Sequence, residues 1–220
     1  MSADPIPPFA AERLAMVENQ LRQRGIQDGR VLAAMSQVLR HEFVPQQSWA
    51  EAYADHPVPI GEHQTTSQPY IIAAMLQAAE IAPQDRVLEI GAGSGYQTAL
   101  LARLAGKVYA AERYPSLSAR AQSVLRRLGY ANTTVITGDG SLGLPQYAPY
   151  DAIVVAAAAP RVPPALVEQL APGGRLVVPV GDSQQQVLQL ARKGRDGTVT
   201  VTSLEGCRFV PLIGEQGFGV

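Results

Sequence analysis

At 220 residues, with 46% hydrophobic and 17% charged side chains, the chain is long enough for one large folded domain and too apolar for intrinsic disorder. A net charge of −1 gives no global pull toward DNA, RNA or anionic lipid, and the single cysteine, Cys207, excludes an intrachain disulfide and a cysteine-rich metal site. The apolar run at Ile153 to Ala159 is far too short to span a bilayer, and Asp4, Glu12 and Glu18 interrupt any signal core, so a cytoplasmic monomer without membrane or nucleic-acid partners is expected.

Met1 to about Pro8 is Pro-rich and reads as loose. From about Ala10 to Arg24, Leu14, Val17 and Leu21 recur at helical spacing, and Gly25 is a stop signal. Asp28 is placed to cap a second helix carrying Val31, Leu32, Met35 and Val38. Between His41 and Pro69, prolines at 45, 57 and 59 and Gly61 break any period, and the stretch reads as loop with short pieces. These first 68 residues form a helical annex with an active-site loop, and residues 69–220 form the main fold.

Past Pro69 the rhythm changes. Helix (Tyr70 to Glu80), strand (Arg86 to Ile90), helix (Tyr96 to Leu104) and strand (Lys107 to Ala111) follow in order. A helix from Leu117 to Leu128 and strands at Thr133 to Thr137 and Asp151 to Ala156 come next, then a helix at Pro163 to Leu170 and a strand at Arg175 to Val180. Strands alternating with helices predict parallel pairing with right-handed crossovers. Gln186 to Ala191 and Thr198 to Leu204, around Gly194 to Gly197, read as antiparallel neighbours. The predicted architecture is α/β: a doubly wound, mostly parallel, Rossmann-like sheet with a helical N-terminal annex.

The sharpest motif is Val87-Leu88-Glu89-Ile90-Gly91-Ala92-Gly93-Ser94-Gly95-Tyr96, an apolar strand running into alternating glycines and straight into a helix. Glycine permits the tight turn and a close approach of ligand to backbone, and the helix start offers free N–H groups. Tyr96 stands where a dinucleotide fingerprint needs its third glycine. No Gly-Lys-Ser/Thr follows for a P-loop, and Ser94 lacks the flanking pattern of a nucleophile elbow. Glu112, about 20 residues on at the end of the next strand, is where a carboxylate would accept from both ribose hydroxyls of an adenosine ligand. Asp139, in Gly138-Asp139-Gly140, could meet the adenine amino group. Each also has a plain structural reading, as turn or helix cap. Glu89 within the first strand needs a partner if buried: the ammonium of an S-adenosylmethionine ligand, or a neighbouring arginine. Together the set favours an adenosyl ligand.

On further motifs the chain resembles the protein-L-isoaspartate O-methyltransferase family. They are Glu42-Phe43-Val44-Pro45, Pro59-Ile60-Gly61, Gln64-Thr65-Thr66-Ser67-Gln68-Pro69, the Gly91–Tyr96 loop, Gly138-Asp139-Gly140, Ala157-Ala158-Ala159-Pro160, Pro172-Gly173-Gly174-Arg175-Leu176 and Arg208-Phe209-Val210-Pro211-Leu212. The resemblance implies the class I methyltransferase fold, S-adenosyl-L-methionine as cofactor with S-adenosyl-L-homocysteine as product, and isoaspartyl residues of damaged proteins and peptides as acceptors. It implies Ser67 as the active-site serine, with Gln64, Thr65 and Thr66 beside the cofactor. Glu89, Gly91, Gly93, Ser94, Glu112, Arg113, Asp139 and Gly140 complete the expected cofactor site; no metal is expected. The chain departs from the family pattern at His63 (glycine expected), Thr66 (isoleucine usual) and Ala156 (threonine common).

Methyl transfer to a carboxylate asks little of the enzyme. The acceptor, with a pKa near ~4, is already anionic at neutral pH, so no general base is needed. The protein must align an oxygen about 3 Å from the methyl group. Ser67 has no evident base to make it a nucleophile, so its hydroxyl is expected to orient the acceptor carboxylate, or to cap the helix opening near Pro69. An extended peptide also needs a backbone support, for which Phe209–Leu212 and the Pro57–Gly61 loop are candidates, although Phe209–Leu212 could equally be a core strand. The competing readings are a methyltransferase acting on a small molecule or nucleic acid, a non-catalytic adenosyl-binding module and an NAD-linked oxidoreductase, the last disfavoured by the glycine spacing.

Overall fold

The computed structural model describes residues 9–219, so the opening segment read as loose lies outside the described residues. The annex begins with helix α1 (Ala10–Ala15), which runs unbroken into a π-wound stretch, Met16–Leu21, and a 3-10 turn, Arg22–Arg24, before Gly25 ends it at φ +95°. The π winding resets the phase of the helix face. Met16, Val17 and Leu21 turn inward as a result, while Leu14, expected on the apolar face, is left 58% exposed. Helix α2 (Gly29–Gln37) starts at Asp28, whose carboxylate accepts from the amides of Arg30 and Val31 at 2.8 and 3.2 Å. Val31, Leu32, Met35 and Val38 are all buried.

The stretch read as loop holds more order than its sequence implied. Two 3-10 turns, Arg40–Phe43 and Gln46–Glu51, lead into an antiparallel hairpin of strands β1 (Val58–Gly61) and β2 (Gln64–Thr66). Strands this short cannot show a period of two, and the turn lacks the usual Asn-Gly signal. Glu62 and His63 instead adopt positive φ, +51° and +54°.

Helix α3 (Pro69–Ala79) leads into the main sheet of strands β3 (Arg86–Ile90), β4 (Lys107–Glu112), β5 (Thr133–Thr137), β6 (Tyr150–Val155), β7 (Leu170–Gly181), β8 (Gln186–Lys193) and β9 (Val199–Cys207). Helices α4 (Tyr96–Leu104), α5 (Pro115–Arg127) and α6 (Pro164–Glu168) connect them. Strand order is β5-β4-β3-β6-β7-β8-β9, parallel from β5 through β7 and antiparallel at β7–β8 and β8–β9. The predicted doubly wound sheet is thus present. The largest difference in bounds follows the sixth helix: α6 stops at Glu168 and β7 opens at Leu170, not Arg175, because Leu170 already pairs with Tyr150, while the other ends shift by a few residues at most.

Side chains of the central strands alternate between two cores. Val87, Val108, Ala152, Val154 and Val177 face a cluster shared with α3, α4 and the annex. Leu88, Ile90, Ile153, Val155, Leu176 and Val178 face a second cluster under α6. Strands covered on both faces read as continuous apolar runs, which is why periodicity identified them as buried. The chain winds from β3 outward to β5, then returns to place β6 on the other side of β3. That reversal opens a crevice beyond the carboxyl ends of β3 and β6, where α/β folds bind ligands.

Candidate active site

At the end of β3 the chain turns sharply through Gly91, Gly93 and Gly95, at φ +87°, +53° and +87°. L side chains avoid this region, so glycine is required for the turn itself. The amides of Gly91 and Ala92 both donate to the carbonyl of Ala111 at the end of β4, at 2.9 and 3.1 Å. The Gly93 amide donates to Glu112 Oε2 at 2.7 Å, and the Tyr114 amide to Oε1 at 2.8 Å. Glu112 is thereby fixed at the rim of a cavity, with lone pairs still available for a ligand. Gln64, Thr65, Gly91, Gly93, Arg113 and Gly140 line the same cavity. The β1–β2 hairpin covers it: Ile60 forms part of the lining, and Glu62 at the hairpin tip accepts from Ser116 Oγ, at the start of α5, at 2.6 Å.

Below the glycine turn lies a smaller recess lined by Thr65, Thr66, Ser67, Glu89, Ser94 and Gln97. Glu89 is fully buried; Thr98 Oγ1 donates to its Oε2 at 2.5 Å, while Oε1 has no partner. Gln97 Nε2 is likewise buried and unpartnered. Burial pushes the Glu89 carboxyl up to about 8, opposed by the Thr98 hydrogen bond and the nearby Gln97 amide and helped by the nearby Glu112 charge. No arginine pairs with Glu89 among the described residues, so that reading of its burial falls away. An unpaired acceptor and an unpaired donor facing one recess suit the ammonium and carboxylate of an amino-acid end. The glycine amides and Glu112 suit the adenosyl end. The residues present therefore fit S-adenosylmethionine.

A third cleft opens on the far side. Arg24, Ser67, Tyr70, Glu205, Arg208 and Val210 are among its walls. Thr65 and Ala156 line all three spaces, and Ser67 lines both the recess and this cleft. Gln68, not Ser67, is the N-cap of α3, and no side chain caps that helix. The capping alternative for Ser67 is removed, and its hydroxyl is left for the cleft.

The structure thus gathers the sequence-predicted residues around one crevice, with one difference. Asp139 accepts from the amides of Ser141 and Glu215, at 2.8 and 2.9 Å, and does not line the cavity; its neighbour Gly140 does. Burial pushes the Asp139 carboxyl up, but the Glu215 amide and the Ser141 hydrogen bonds outweigh it and hold the group below the ordinary range. The Phe209–Leu212 segment lies between the core and the crevice: Phe209 and Leu212 are buried, Val210, Pro211 and Leu212 line the cavity, and the segment bonds to Ala158 through Val210 O and Leu212 N at 2.8 and 2.7 Å. Tyr96 packs between α4 and the annex: its ring meets Phe43 at 5.9 Å, and it is fully buried. His41 bonds Tyr53 Oη at 2.8 Å within an aromatic cluster.

Sequence reasoning missed Arg40, Gln97 and Thr98. The last two sit in the first turn of α4, where their facing becomes visible only once the helix start is known. Arg40 looked like any surface arginine, yet it is fully buried behind Thr66 and Ser67.

The protein-L-isoaspartate(D-aspartate) O-methyltransferase family model matches residues 11–217. A protein-L-isoaspartate O-methyltransferase of Koribacter versatilis is 55% identical over 219 residues, covering 99% of this chain and 98% of that protein. One of Methanoculleus marisnigri is 53% identical over 219 residues, covering 99% and 97%. Among solved structures, a protein-L-isoaspartate O-methyltransferase superposes with a TM-score of 0.82 at 29% identity, covering 93% of this chain and 67% of that one. A Plasmodium falciparum structure assigned to the same enzyme, in complex with S-adenosyl-L-homocysteine, gives 0.78 at 27% identity, covering 91% and 98%. With the adenosyl-type crevice, the serine beside it and a match running from the annex to the tail, the chain belongs to the protein-L-isoaspartate(D-aspartate) O-methyltransferase family, S-adenosylmethionine-dependent enzymes.

Proposed function

We propose that the chain methylates the free carboxylate of isoaspartyl residues at the point where the three spaces meet, between Thr65 and Ala156, with Ser67 orienting the acceptor. The observation that carries this reading is the convergence itself. A recess with an unpaired buried carboxylate oxygen on Glu89 and the cleft walled by Tyr70, Arg208 and Val210 share Ser67 as a common wall. When bound, S-adenosylmethionine supplies a methyl carbon that forms a bond to the acceptor oxygen as its bond to sulfur breaks, the electron pair leaving with sulfur.

The protein's own tasks are holding and aligning. Gly93 and Glu112 hold the adenosyl end, with Gln64, Thr65, Arg113 and Gly140 around it, and Asp139 keeps the loop carrying Gly140 in place. Glu89, Gln97, Thr66 and Ser94 surround the amino-acid end. The Ser67 hydroxyl donates to one acceptor oxygen and leaves the other free to react. Because the acceptor is already an anion, no proton has to move during transfer. Alignment is the main contribution, and it is worth several kcal/mol (~7 or more when well oriented). The hairpin over the cavity excludes water that would stabilise the anion. The methyl ester formed collapses spontaneously to a succinimide, which starts repair.

Methyl-labelled S-adenosylmethionine, given with paired peptides differing only in aspartyl or isoaspartyl linkage, tests the reading. Base-labile label on the isoaspartyl peptide alone is expected; label on both, or base-stable label, overturns it. Ser67→Ala is expected to lower kcat roughly 10- to 100-fold, the loss of one charge-assisted hydrogen bond, with the affinity for S-adenosyl-L-homocysteine unchanged. Wild-type turnover in that variant would remove the orienting role. We also read the enzyme as a cytoplasmic monomer without a nucleic-acid partner, on its net charge of −1 and single cysteine. Light scattering after size exclusion and cell fractionation check this.

A further inference from the structure

Arg40 is fully buried in the 3-10 turn Arg40–Phe43. Its guanidinium donates from Nε to the carbonyl of Ala52 at 2.6 Å, from Nη1 to Thr66 Oγ1 at 3.3 Å and from Nη2 to the carbonyl of Ser67 at 2.8 Å. Its Cζ lies 4.7 Å from the centre of the Tyr96 ring. Burial lowers its pKa, opposed by Tyr96 and Tyr53, but an arginine starts so high that it stays charged. Among the described residues no carboxylate forms an ion pair with it. Carbonyls, a hydroxyl and a ring face solvate the cation without neutralising it. Burying an unpaired charge is among the costliest things a fold can do, and a loop could be anchored as well by a neutral donor.

Every group that Arg40 touches on the crevice side belongs to Thr66 or Ser67, and Ser67 faces the acceptor cleft. We propose that Arg40 is a positioning residue for the acceptor: its buried cation holds the Ser67 backbone and supplies, through that loop, the positive potential that draws an anionic carboxylate out of water and against the serine. The proposal rests on the reading of Ser67 as the acceptor site. It also explains how an anion is tolerated in a crevice whose other buried ionisable groups, Glu89 and Glu112, are acidic. Low surrounding polarisability strengthens the field of a buried charge, whereas a solvent-exposed one is screened. Arg208 lines the same cleft but is exposed, and Arg24 is tied to Asp55 at 2.8 Å.

The test pairs the charge on residue 40 with the charge on the ligand. Calorimetry on protein loaded with S-adenosyl-L-homocysteine measures the affinity of an isoaspartyl peptide and of the same peptide with that carboxylate converted to its neutral carboxamide. In the wild type the charged peptide is expected to bind at least tenfold more tightly, and the preference is expected to survive 0.5 M salt. Arg40→Gln is expected to cut the preference by tenfold or more, whereas Arg40→Lys, which keeps the charge but not the fork, is expected to retain most of it while kcat falls. A role confined to anchoring the loop would weaken both peptides equally and leave the preference intact in Arg40→Gln. That result overturns the proposal, as does a wild type with no preference or one lost in salt. Should Arg40→Gln fail to fold, Arg40→Lys decides alone, since loss of the preference with the charge retained would contradict it. Failure of the wild type to methylate the isoaspartyl peptide in the labelling assay would instead count against the acceptor reading on which the proposal rests.

Discussion

Glu89 shows how a single side chain couples ligand to proton. Its carboxyl is raised from the ordinary 4.5 to about 8 by burial, so the folded protein holds a proton that the unfolded chain releases. A folded pKa above the unfolded one makes its contribution to stability full below the unfolded value and lost as pH rises through the folded value. Between pH 4.5 and 8 the ligand-free protein is therefore expected to lose stability, by at most about 1.4 kcal/mol per pH unit from this group. Glu89→Gln is expected to flatten that dependence, measured as urea midpoints across the range. A ligand ammonium at Oε1 favours the charged form, so cofactor binding near pH 7 is expected to release a proton. Binding enthalpies that vary with buffer ionisation heat in the wild type and not in Glu89→Gln check it. Identical slopes would show that Glu89 does not titrate on binding. The sequence marked Glu89 as an acid inside a buried strand and so in need of a partner, but Gln97 and Thr98 joined it only when α4 was set against β3.

At the scale of elements, the β1–β2 hairpin decides access to the cavity. Its tip is held by the Glu62–Ser116 hydrogen bond, and Arg120 Nη1 reaches the carbonyl of Ile60 at 3.4 Å. An exposed contact of this kind contributes roughly 0.2–1 kcal/mol. Glu62→Ala is accordingly expected to speed dissociation of S-adenosyl-L-homocysteine by about two- to fivefold in stopped-flow fluorescence, with kcat on saturating peptide little changed. An unaltered off-rate would mean that the tip contact does not gate the cavity. His63, where the family pattern has glycine, occupies φ +54° in this turn. That conformation costs a non-glycine residue about 1–2 kcal/mol, so the hairpin is held by its contacts against local strain. Resemblance could set Gln64, Thr65 and Thr66 beside the expected cofactor and Ser67 at the acceptor. It could not reveal the hairpin, whose seven strand residues make sense only against the sheet they cover.

For the whole molecule, the annex and the sheet share one core. Met16, Leu21, Leu32, Met35 and Phe43 pack in the same cluster as Leu76, Tyr96, Leu101 and Val154. We propose that the annex (residues 1–68) and the main fold (69–220) unfold together. Asp28→Ala, which removes the cap of α2 at the periphery, is expected to cost about 1 kcal/mol and to lower a single Tm by about 2–4 °C. Two separated calorimetric transitions would show that the annex melts by itself. The same packing carries Arg40 from the annex to the back of Ser67, where it bonds the Ser67 carbonyl.

Local chemistry alone determined much of this protein. The apolar strand and its alternating glycines, the acid at the end of the next strand, and the alternation of strands with helices all act over a few residues, and each was legible in the chain. So was the lack of any need for a base, because the acceptor ionises by itself. Contacts between distant segments were decided by the tertiary structure. Asp139 turned to the tail because amides 2 and 76 positions away reach it first. Leu14 faced outward because π winding shifted its helix, and the lone cation at residue 40 was buried because Ala52, Thr66 and Ser67 closed around it. Spacing along a chain reports which residues share a face, but burial and pairing depend on what that face meets once the chain has folded.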